Sequence, residues 1–391
     1  MIKISDKTKC CGCGACMQIC PKNAISMQAD NEGFLYPVVD ESKCIKCGLC
    51  LKSCPILNKP ITYKFLGTYA AKHNSNEIKL KSSSGGIFTA LSEVIFKDKG
   101  VVFGAAFDKN WNVMHTYVED LKDLDKLRRS KYVQSDIGKT YQKAKEFLEL
   151  GHKVLFTGTP CQIAGLRNYL DKEYENLITA ELFCHGVPSP MAWNKFLKEN
   201  TKIKNIQSID FRYKRFGWDA SYLNITYKDG SYLPHAPKCL LPLLNTKRGR
   251  LFRRFYHLFF SISNLYERPS CHACSFKGID RVADFTMGDF WGVNKTYPNL
   301  YDRMGVSVLL VNTLKAQKII QKSNLKREPI DIQKVIDHNP FLVKSVKPHP
   351  KRAEFFSRYK KEKFNKLIKE LYNVKPIIFQ IFDSILRKLQ H

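Results

Sequence analysis

Residues 10–55 hold eight cysteines in two copies of one spacing, C-x2-C-x2-C-x3-C-P. The first copy is Cys10, Cys13, Cys16, Cys20 and Pro21; the second is Cys44, Cys47, Cys50, Cys54 and Pro55. Three closely spaced thiolates wrap one corner of a cubane 4Fe–4S cluster, and the fourth, just ahead of the proline, reaches across to the other cluster. Cys10, Cys13, Cys16 and Cys54 are therefore expected on one cluster, and Cys44, Cys47, Cys50 and Cys20 on a second. Zinc knuckles and a disulfide framework are the alternatives. Zinc sites usually use two C-x2-C pairs far apart, not four cysteines in eleven residues. Gly12, Gly14, Ala15 and Gly48 let the backbone pass close to cluster sulfurs. Cys11 falls outside the spacing and reads as a bystander.

A chain of 391 residues has room for two or three domains. It contains no run of about 18 apolar residues, so no membrane-spanning helix is expected. The opening MIKISDKTKCCGCG has no apolar stretch ahead of its cysteines, so no signal peptide is expected either. Clustered cysteines without an export signal imply reduced thiols holding metal, and hence a cytoplasmic compartment. The net charge is +28, from 64 Lys+Arg against 36 Asp+Glu. Such a balance favours an acidic partner: an anionic substrate, an acidic electron carrier, anionic lipid or nucleic acid. Nucleic acid is not expected, because no recognition motif is present and the basic residues are spread until the C-terminal third. A lysine-rich solvated surface accounts for the charge equally well.

Three regions follow in order: 1–60, a ferredoxin-type domain; 61–345, a catalytic domain; and 346–391, a basic helical tail. Between the two cysteine runs, AISMQADNEGFLYPVVDES predicts a short hairpin around DNEG. From residue 61 strands and helices alternate: FLGTYAAKH, IFTALSEVIFKDKG, VVFGAAF, QKAKEFLELGHKVLFTG, PCQIAGLRNYL, LITAELFCHG and SPMAWNKFLKEN. The pattern predicts an α/β core with a substantially parallel sheet. After residue 205, IQSIDFRYK and SYLNITYKDGSYL read as antiparallel strands. GVSVLLVNTLKAQKIIQKSN adds a strand and a helix. The fold class expected is α/β with α+β character, its catalytic domain built on a mixed sheet.

Residues 242–266 place five basic residues among many aromatics, as a lid, a membrane-surface patch or a packed helix with a basic face. The segment after residue 372 carries Ile377, Ile378, Ile381, Phe382, Ile385 and Leu386 on one side. It either lies on anionic lipid, giving a peripheral membrane contact, or docks on the chain's own core.

A second cysteine set is dispersed. Cys161 and Cys184 lie just after predicted strands, where an open α/β sheet places its ligands, and Cys271 and Cys274 form a C-x2-C pair. These residues are open to two readings, a third cluster or buried core thiols. The motifs KSSSGGIFTAL, RSKYVQSD, VLFTGTPCQIAGL, LFCHGVPSP, FRYKRFGWD, RPSCHACSF and RVADFTMGDFWGV, in this order, resemble the coenzyme F-420 hydrogenase/dehydrogenase beta subunit family. The resemblance runs from about residue 67 to about 315, and is nearest to the bacterial members met in polysaccharide biosynthesis loci. It implies an oxidoreductase domain that binds FAD and one further 4Fe–4S cluster, with ligands falling on Cys161, Cys184, Cys271 and Cys274.

For the flavin, Ser83, Ser84, Gly85 and Gly86 open a helix with bare backbone amides, which suits a pyrophosphate; a plain serine cap is the alternative. The resemblance places Lys131 near the flavin, where a cation would raise its potential. It also puts Thr157, Gly158, Thr159 and Pro160 between flavin and cluster, and makes Asp284, Gly288 and Asp289 a C-terminal signature. His185 is a candidate proton relay or a structural histidine. Trp218 and Trp291 either wall the pocket or pack the core. Expected partners are an external electron carrier or cognate redox enzyme and a small, anionic organic substrate.

Overall fold

The structure is a computed structural model and describes residues 1–219, 221–233 and 263–371. In the first 60 residues, two short helices, α1 (Ala15–Gln18) and α2 (Leu49–Lys52), each follow a glycine in the left-handed region, Gly14 at φ +73° and Gly48 at φ +81°. Between them β1 (Ile25–Ala29) and β2 (Leu35–Val39) pair antiparallel. Asp30 closes their turn by accepting the amides of Glu32 and Phe34. The repeated cysteine spacing thus becomes a repeated glycine–helix unit around one hairpin.

The chain then builds a large sheet. β3 (Gly67–His73) leads through α3 (Asn76–Leu80) and α4 (Ile87–Lys97) to β4 (Val101–Phe107) and β5 (Val113–Val118). Helix α5 (Thr140–Glu149) precedes β6 (Val154–Gly158), α6 (Pro160–Leu170), β7 (Leu177–Leu182) and α7 (Pro190–Asn200). A small antiparallel sheet follows, β8 (Ile206–Tyr213), β9 (Tyr222–Tyr227) and β10 (Tyr232–Leu233). The chain returns through β11 (Phe285–Asp289), α8 (Val293–Thr296), β12 (Ser307–Val311), α9 (Leu314–Gln321) and β13 (Leu325–Pro329). It continues with α10 (Ile332–His338), α11 (Arg352–Arg358) and α12 (Phe364–Leu371).

The eight-stranded order is β13-β3-β12-β11-β7-β6-β4-β5. Only β4, β6, β7 and β11 run parallel to one another; β5, β12, β3 and β13 are antiparallel to their neighbours. This corrects the expectation of a substantially parallel sheet and agrees with a mixed one. For the β4–β5 pair the physical reason is connection length: the strands are joined by a tight turn in which Asp108 accepts the amides of Asn110 and Asn112, and such a link permits only antiparallel pairing. The architecture is mixed α/β, a ferredoxin-type domain in front of a mixed sheet with a helical region behind.

One sheet face packs on α4 and α9 through Leu91, Ile95, Leu155, Leu309 and Ile320. The other packs on α5 and α6 through Phe103, Tyr141, Phe156, Ile163 and Leu166, and this core also takes in Cys11, Cys13 and Ala15. The ferredoxin-type part is therefore packed into the sheet domain. Gln18 is buried and its side-chain oxygen accepts the amides of Tyr141 and Gln142 at the start of α5. A third core gathers Trp193, Phe211, Tyr266, Phe355 and Leu367 between α7, β8 and the last helices. Residues 346–371 thus dock on the chain's own core. The apolar stripe after residue 372 and residues 242–262 lie outside the described residues. Among the described residues, no helix is long and apolar enough to cross a membrane.

Candidate functional site

The cysteines gather around three cavities. Cys20, Cys44, Cys47 and Cys50 line one. Cys10, Cys13, Cys16 and Cys54 line a second, together with Cys11. Cys161, Cys184, Cys271 and Cys274 line a third. The second and third cavities share two wall residues, Cys11 and Ile56.

The third set comes from three places in the fold. Cys161 is the second residue of α6, directly after β6, and Cys184 follows the end of the adjacent parallel strand β7. Cys271 lies in the short 3-10 turn Pro269–Ala273, and Cys274 caps it. A cross-domain thiol contact with Cys11 and burial both push the Cys161 thiol up. Burial alone leads the rise at Cys184, Cys271 and Cys274. Four thiols that resist ionisation in a shared buried cavity are a donor set whose protons a metal must displace. Among the described residues, no three or more His, Cys, Asp or Glu side chains converge on a single-ion position. Four cysteines lining one cavity match the all-thiolate donor set of a 4Fe–4S cluster.

Behind Cys161 runs a buried chain of hydrogen bonds. Thr159 is the N-cap of α6 and forms a capping box with Gln162, with Pro160 as the first helical residue. Gln162 Nε2 donates to Ser135 Oγ at 2.9 Å, and Ser135 Oγ meets His115 Nδ1 at 2.8 Å. His115 Nε2 lies 3.0 Å from the Thr157 carbonyl, which can only accept, so Nε2 carries the proton and Ser135 donates to Nδ1. Burial lowers the His115 pKa to about 4, so the ring is neutral at ordinary pH. Thr157 Oγ1 donates to the Phe103 carbonyl, and a Cβ on Gly158 would crowd Gln162 at 3.1 Å. Residues 157–160 thereby fix where Cys161 points.

Residues 341–352 form a strap over the same site. Cys274 donates its amide to Ser345 Oγ, and His272 Nδ1 donates to the Val346 carbonyl. Lys277 Nζ donates to the carbonyls of Cys184 and Phe341. Arg352 bonds the Glu267 carbonyl and the Glu32 carboxylate, joining tail, cysteine turn and ferredoxin hairpin. His185 lines the cavity, with Nδ1 3.0 Å from Glu267 Oε1 and its ring 4.0 Å from that of Phe341. Its side chain is 42% exposed.

The glycine-rich loop is pinned from several sides. Ser83 Oγ accepts the Ser130 amide at 2.7 Å, which joins KSSSGG to RSKY. Ser84 Oγ donates to the Val306 carbonyl, and the Gly85 amide donates to Ser307 Oγ. A Cβ on Gly85 would stand 2.5 Å from the Ala71 carbonyl, so only glycine fits against β3. Gly86, at φ +93°, is the N-cap of α4, and no side chain caps that helix. The serine-cap alternative is thus not realised, and the first amides of α4 have no side-chain cap. Beside it Lys214 Nζ donates to the carbonyls of Lys79, Ser84 and Met304, and burial lowers its pKa to about 7.

Four residues expected at the flavin make well-defined structural contacts. Lys131 Nζ donates to the carbonyls of Lys126, Leu127 and Arg128, closing the turn 121–126, and burial lowers its pKa to about 7. Three carbonyls of its own loop thus fix the position of this amine. Asp284 accepts from the Thr179 amide and hydroxyl and from Thr313 Oγ1, binding β7 to the start of α9. Gly288 has no room for a Cβ, which would meet Phe183 at 2.5 Å. Asp289 accepts from Arg212 at 2.7 Å and from Trp218 Nε1 at 2.8 Å. Trp218 is buried and stacks on the half-exposed Trp291 at 5.0 Å. The signature thus holds the small sheet's β8 against the end of β11.

Residues 151–336 match the family described as the C terminus of the coenzyme F420 hydrogenase/dehydrogenase beta subunit, and residues 9–57 match the 4Fe-4S dicluster domain. The chain therefore resembles a 4Fe–4S dicluster domain followed by the C-terminal part of a coenzyme F420 hydrogenase/dehydrogenase beta subunit. The coenzyme F420-dependent sulfite reductase of Methanocaldococcus jannaschii is 26% identical over 188 residues, 48% of this chain and 29% of that protein. This chain therefore spans less than a third of that relative. A chain of the F420-reducing NiFe hydrogenase complex from Methanosarcina barkeri aligns with 80% of this chain and 94% of its own, at TM-score 0.45 and 19% identity.

The dispersed cysteines all lie within the beta-subunit match, and the eight clustered ones within the dicluster match. Sequence reasoning missed Cys11, His115, Gln134, Glu267 and Arg268. Gln134 and Arg268 lie inside the motifs RSKYVQSD and RPSCHACSF, but their partners are far away in sequence.

Proposed function

We propose that this iron–sulfur oxidoreductase is a flavoprotein that moves electrons between a small anionic organic substrate and an external carrier or cognate redox enzyme. The reading is carried by one observation: four thiols from separate segments surround a cavity whose wall, at Cys11 and Ile56, is also the wall of the first ferredoxin cavity. The two ferredoxin groups meet in one apolar cluster that holds Cys16, Cys50 and Cys54 with Cys20 against it, so three cysteine groups would lie in series, with exposed Cys47 in the group that shares no wall with the quartet. That end is where a carrier would dock. The Cys161, Cys184, Cys271 and Cys274 quartet would hold a third 4Fe–4S cluster.

An FAD, when bound, supplies the exchange between two-electron and one-electron chemistry that clusters lack. The uncapped start of α4, from Ser83 to Gly86, would hold its pyrophosphate with helix amides. Residues 157–160 and the His115–Ser135–Gln162 chain hold the backbone between that loop and the quartet. His185, oriented by Glu267 and open to solvent, would hold or move a proton at Nε2. Lys131 shapes this wall through the turn it closes.

The substrate has two readings. The sequence motifs resemble bacterial members from polysaccharide loci, which favours a sugar-linked or lipid-linked anion in the cytoplasm. The matched family and the sulfite reductase relative favour the deazaflavin coenzyme F420 equally well. Reduced deazaflavin should bleach the protein's visible absorbance under the second reading and leave it unchanged under the first.

The deciding experiment is iron and flavin content after anaerobic purification, for the wild type and Cys271→Ser. Three cubanes predict about twelve irons and one flavin, falling to about eight irons in the variant. About eight irons and no flavin in the wild type would sink the reading.

A further inference from the structure

Arg268 is fully buried, yet none of its hydrogen-bond acceptors is a carboxylate. Nε donates to the Cys10 carbonyl at 2.9 Å, and one terminal nitrogen to Gln134 Oε1 at 2.9 Å. The other terminal nitrogen donates to the Leu35 carbonyl at 2.9 Å and reaches Cys10 Sγ at 3.7 Å. The guanidinium stacks 4.3 Å from the centroid of the Tyr36 ring. A Cβ on Gly12 would stand 2.7 Å from it, so the glycine inside the first cysteine run makes its entry possible. The arginine itself belongs to the other domain. Its carbonyl accepts the Cys271 amide, so it sits on the turn that carries two of the dispersed cysteines.

A buried cation without a counter-anion is strongly unfavourable. The group it touches is the sulfur of Cys10, a ligand in the dicluster spacing. A cubane held by four thiolates is anionic, and taking up one electron adds a further negative charge. In a low-dielectric setting a fixed cation beside it stabilises that added charge. We propose that Arg268 is the counter-ion of the first ferredoxin cluster and raises its reduction potential, so that the catalytic domain tunes a cluster in the other domain. Arg268 is a positioning and electrostatic residue, not a catalytic one. The proposal rests on the dicluster domain alone and is independent of the flavin and of a third cluster.

The test is an EPR-monitored redox titration of the full chain as wild type, Arg268→Gln and Arg268→Lys, with iron content measured in parallel. The first-cluster signal is identified by its loss in Cys16→Ser. In Arg268→Gln the first cluster should become harder to reduce, by at least tenfold in the one-electron equilibrium constant, or about 59 mV. The second cluster should move by less than about twofold, and Arg268→Lys should recover most of the change. Retained iron with a first-cluster shift below about twofold in Arg268→Gln overturns the proposal. If Arg268→Gln loses its iron, Gln134→Glu decides. It sets a carboxylate against the guanidinium and should lower the first-cluster potential at least threefold in the same constant; no shift there overturns the proposal as well.

Discussion

The two cysteine sets of this protein are built in opposite ways. In the ferredoxin-type domain, ligands within residues 10–54 are brought together by two short helices, each behind a left-handed glycine, and one hairpin. The geometry travels with the local sequence. The quartet instead takes Cys161 and Cys184 from the ends of neighbouring parallel strands and Cys271 and Cys274 from a distant turn. Its geometry is borrowed from the sheet, from a buried hydrogen-bond chain and from a strap that follows it in sequence. A local ligand run should therefore tolerate damage elsewhere, whereas a dispersed set should fail with its scaffold.

The largest expected effect is that of Arg281→Met. Arg281 pairs with Glu181, both buried, and also holds the carbonyls of Phe276 and Gly278 behind Cys274. Truncation leaves Glu181 as an unpaired buried charge, at a cost of about 3–5 kcal/mol. Urea midpoints should drop and the quartet's iron should be lost, while the two ferredoxin EPR signals persist. Full retention of all iron would break the contrast.

The next largest effect appears on acidification. The folded-state pKa of His115 is depressed to about 4 from an ordinary value of 6.5. Between these values the unfolded chain takes a proton that the folded chain refuses. Its contribution is therefore complete above about pH 6.5 and lost as pH falls toward 4, by an amount of order 3 kcal/mol. Urea unfolding across that range should show the slope in the wild type and lose most of it in His115→Gln. An unchanged slope would remove His115 from the quartet's support.

The smallest effect probes the exception to the contrast. A Cβ on Gly165, in α6 of the sheet domain, would meet Cys13 Cβ at 2.8 Å and Sγ at 2.9 Å. Gly165→Ala should cost about 1–3 kcal/mol by overpacking and shift the first-cluster EPR signal but not the second. An unaffected first cluster would make the ferredoxin-type domain more autonomous than its packing implies.

The same contrast explains what could be read from the chain. Eight ligands at fixed spacing and strands such as VLFTG, buried along their whole length, leave periodic marks in sequence. β13, LKREP, was not legible because an edge strand carries charges and breaks the apolar pattern. β5, VMHTYV, was passed over as well. Cys11 read as a bystander because the spacing rule counts along the chain. In space it is buried, and it lines both the first ferredoxin cavity and the quartet cavity. Lys131 was expected near the flavin, and nothing in the sequence signalled that its Nζ also donates to carbonyls three to five residues upstream. Which way a lysine turns in a loop is decided by nearby unpaired carbonyls, and no residue type announces those. Arg268 was invisible for the opposite reason, since its partners Cys10, Leu35 and Gln134 are all more than a hundred residues away.

The strap at residues 341–352 has a consequence in time as well as in space. A chain is made from its N-terminus, so the hairpin glutamate Glu32 and all twelve motif cysteines leave the ribosome before Ser345, Val346 and Arg352 do. The quartet's cover is thus the last part of its surroundings to be synthesised. Until it arrives, the turn bearing Cys271 and Cys274 lacks its contacts to Ser345 and Val346. When Arg352 closes onto Glu32 and the Glu267 carbonyl, the newest segment locks to one of the oldest.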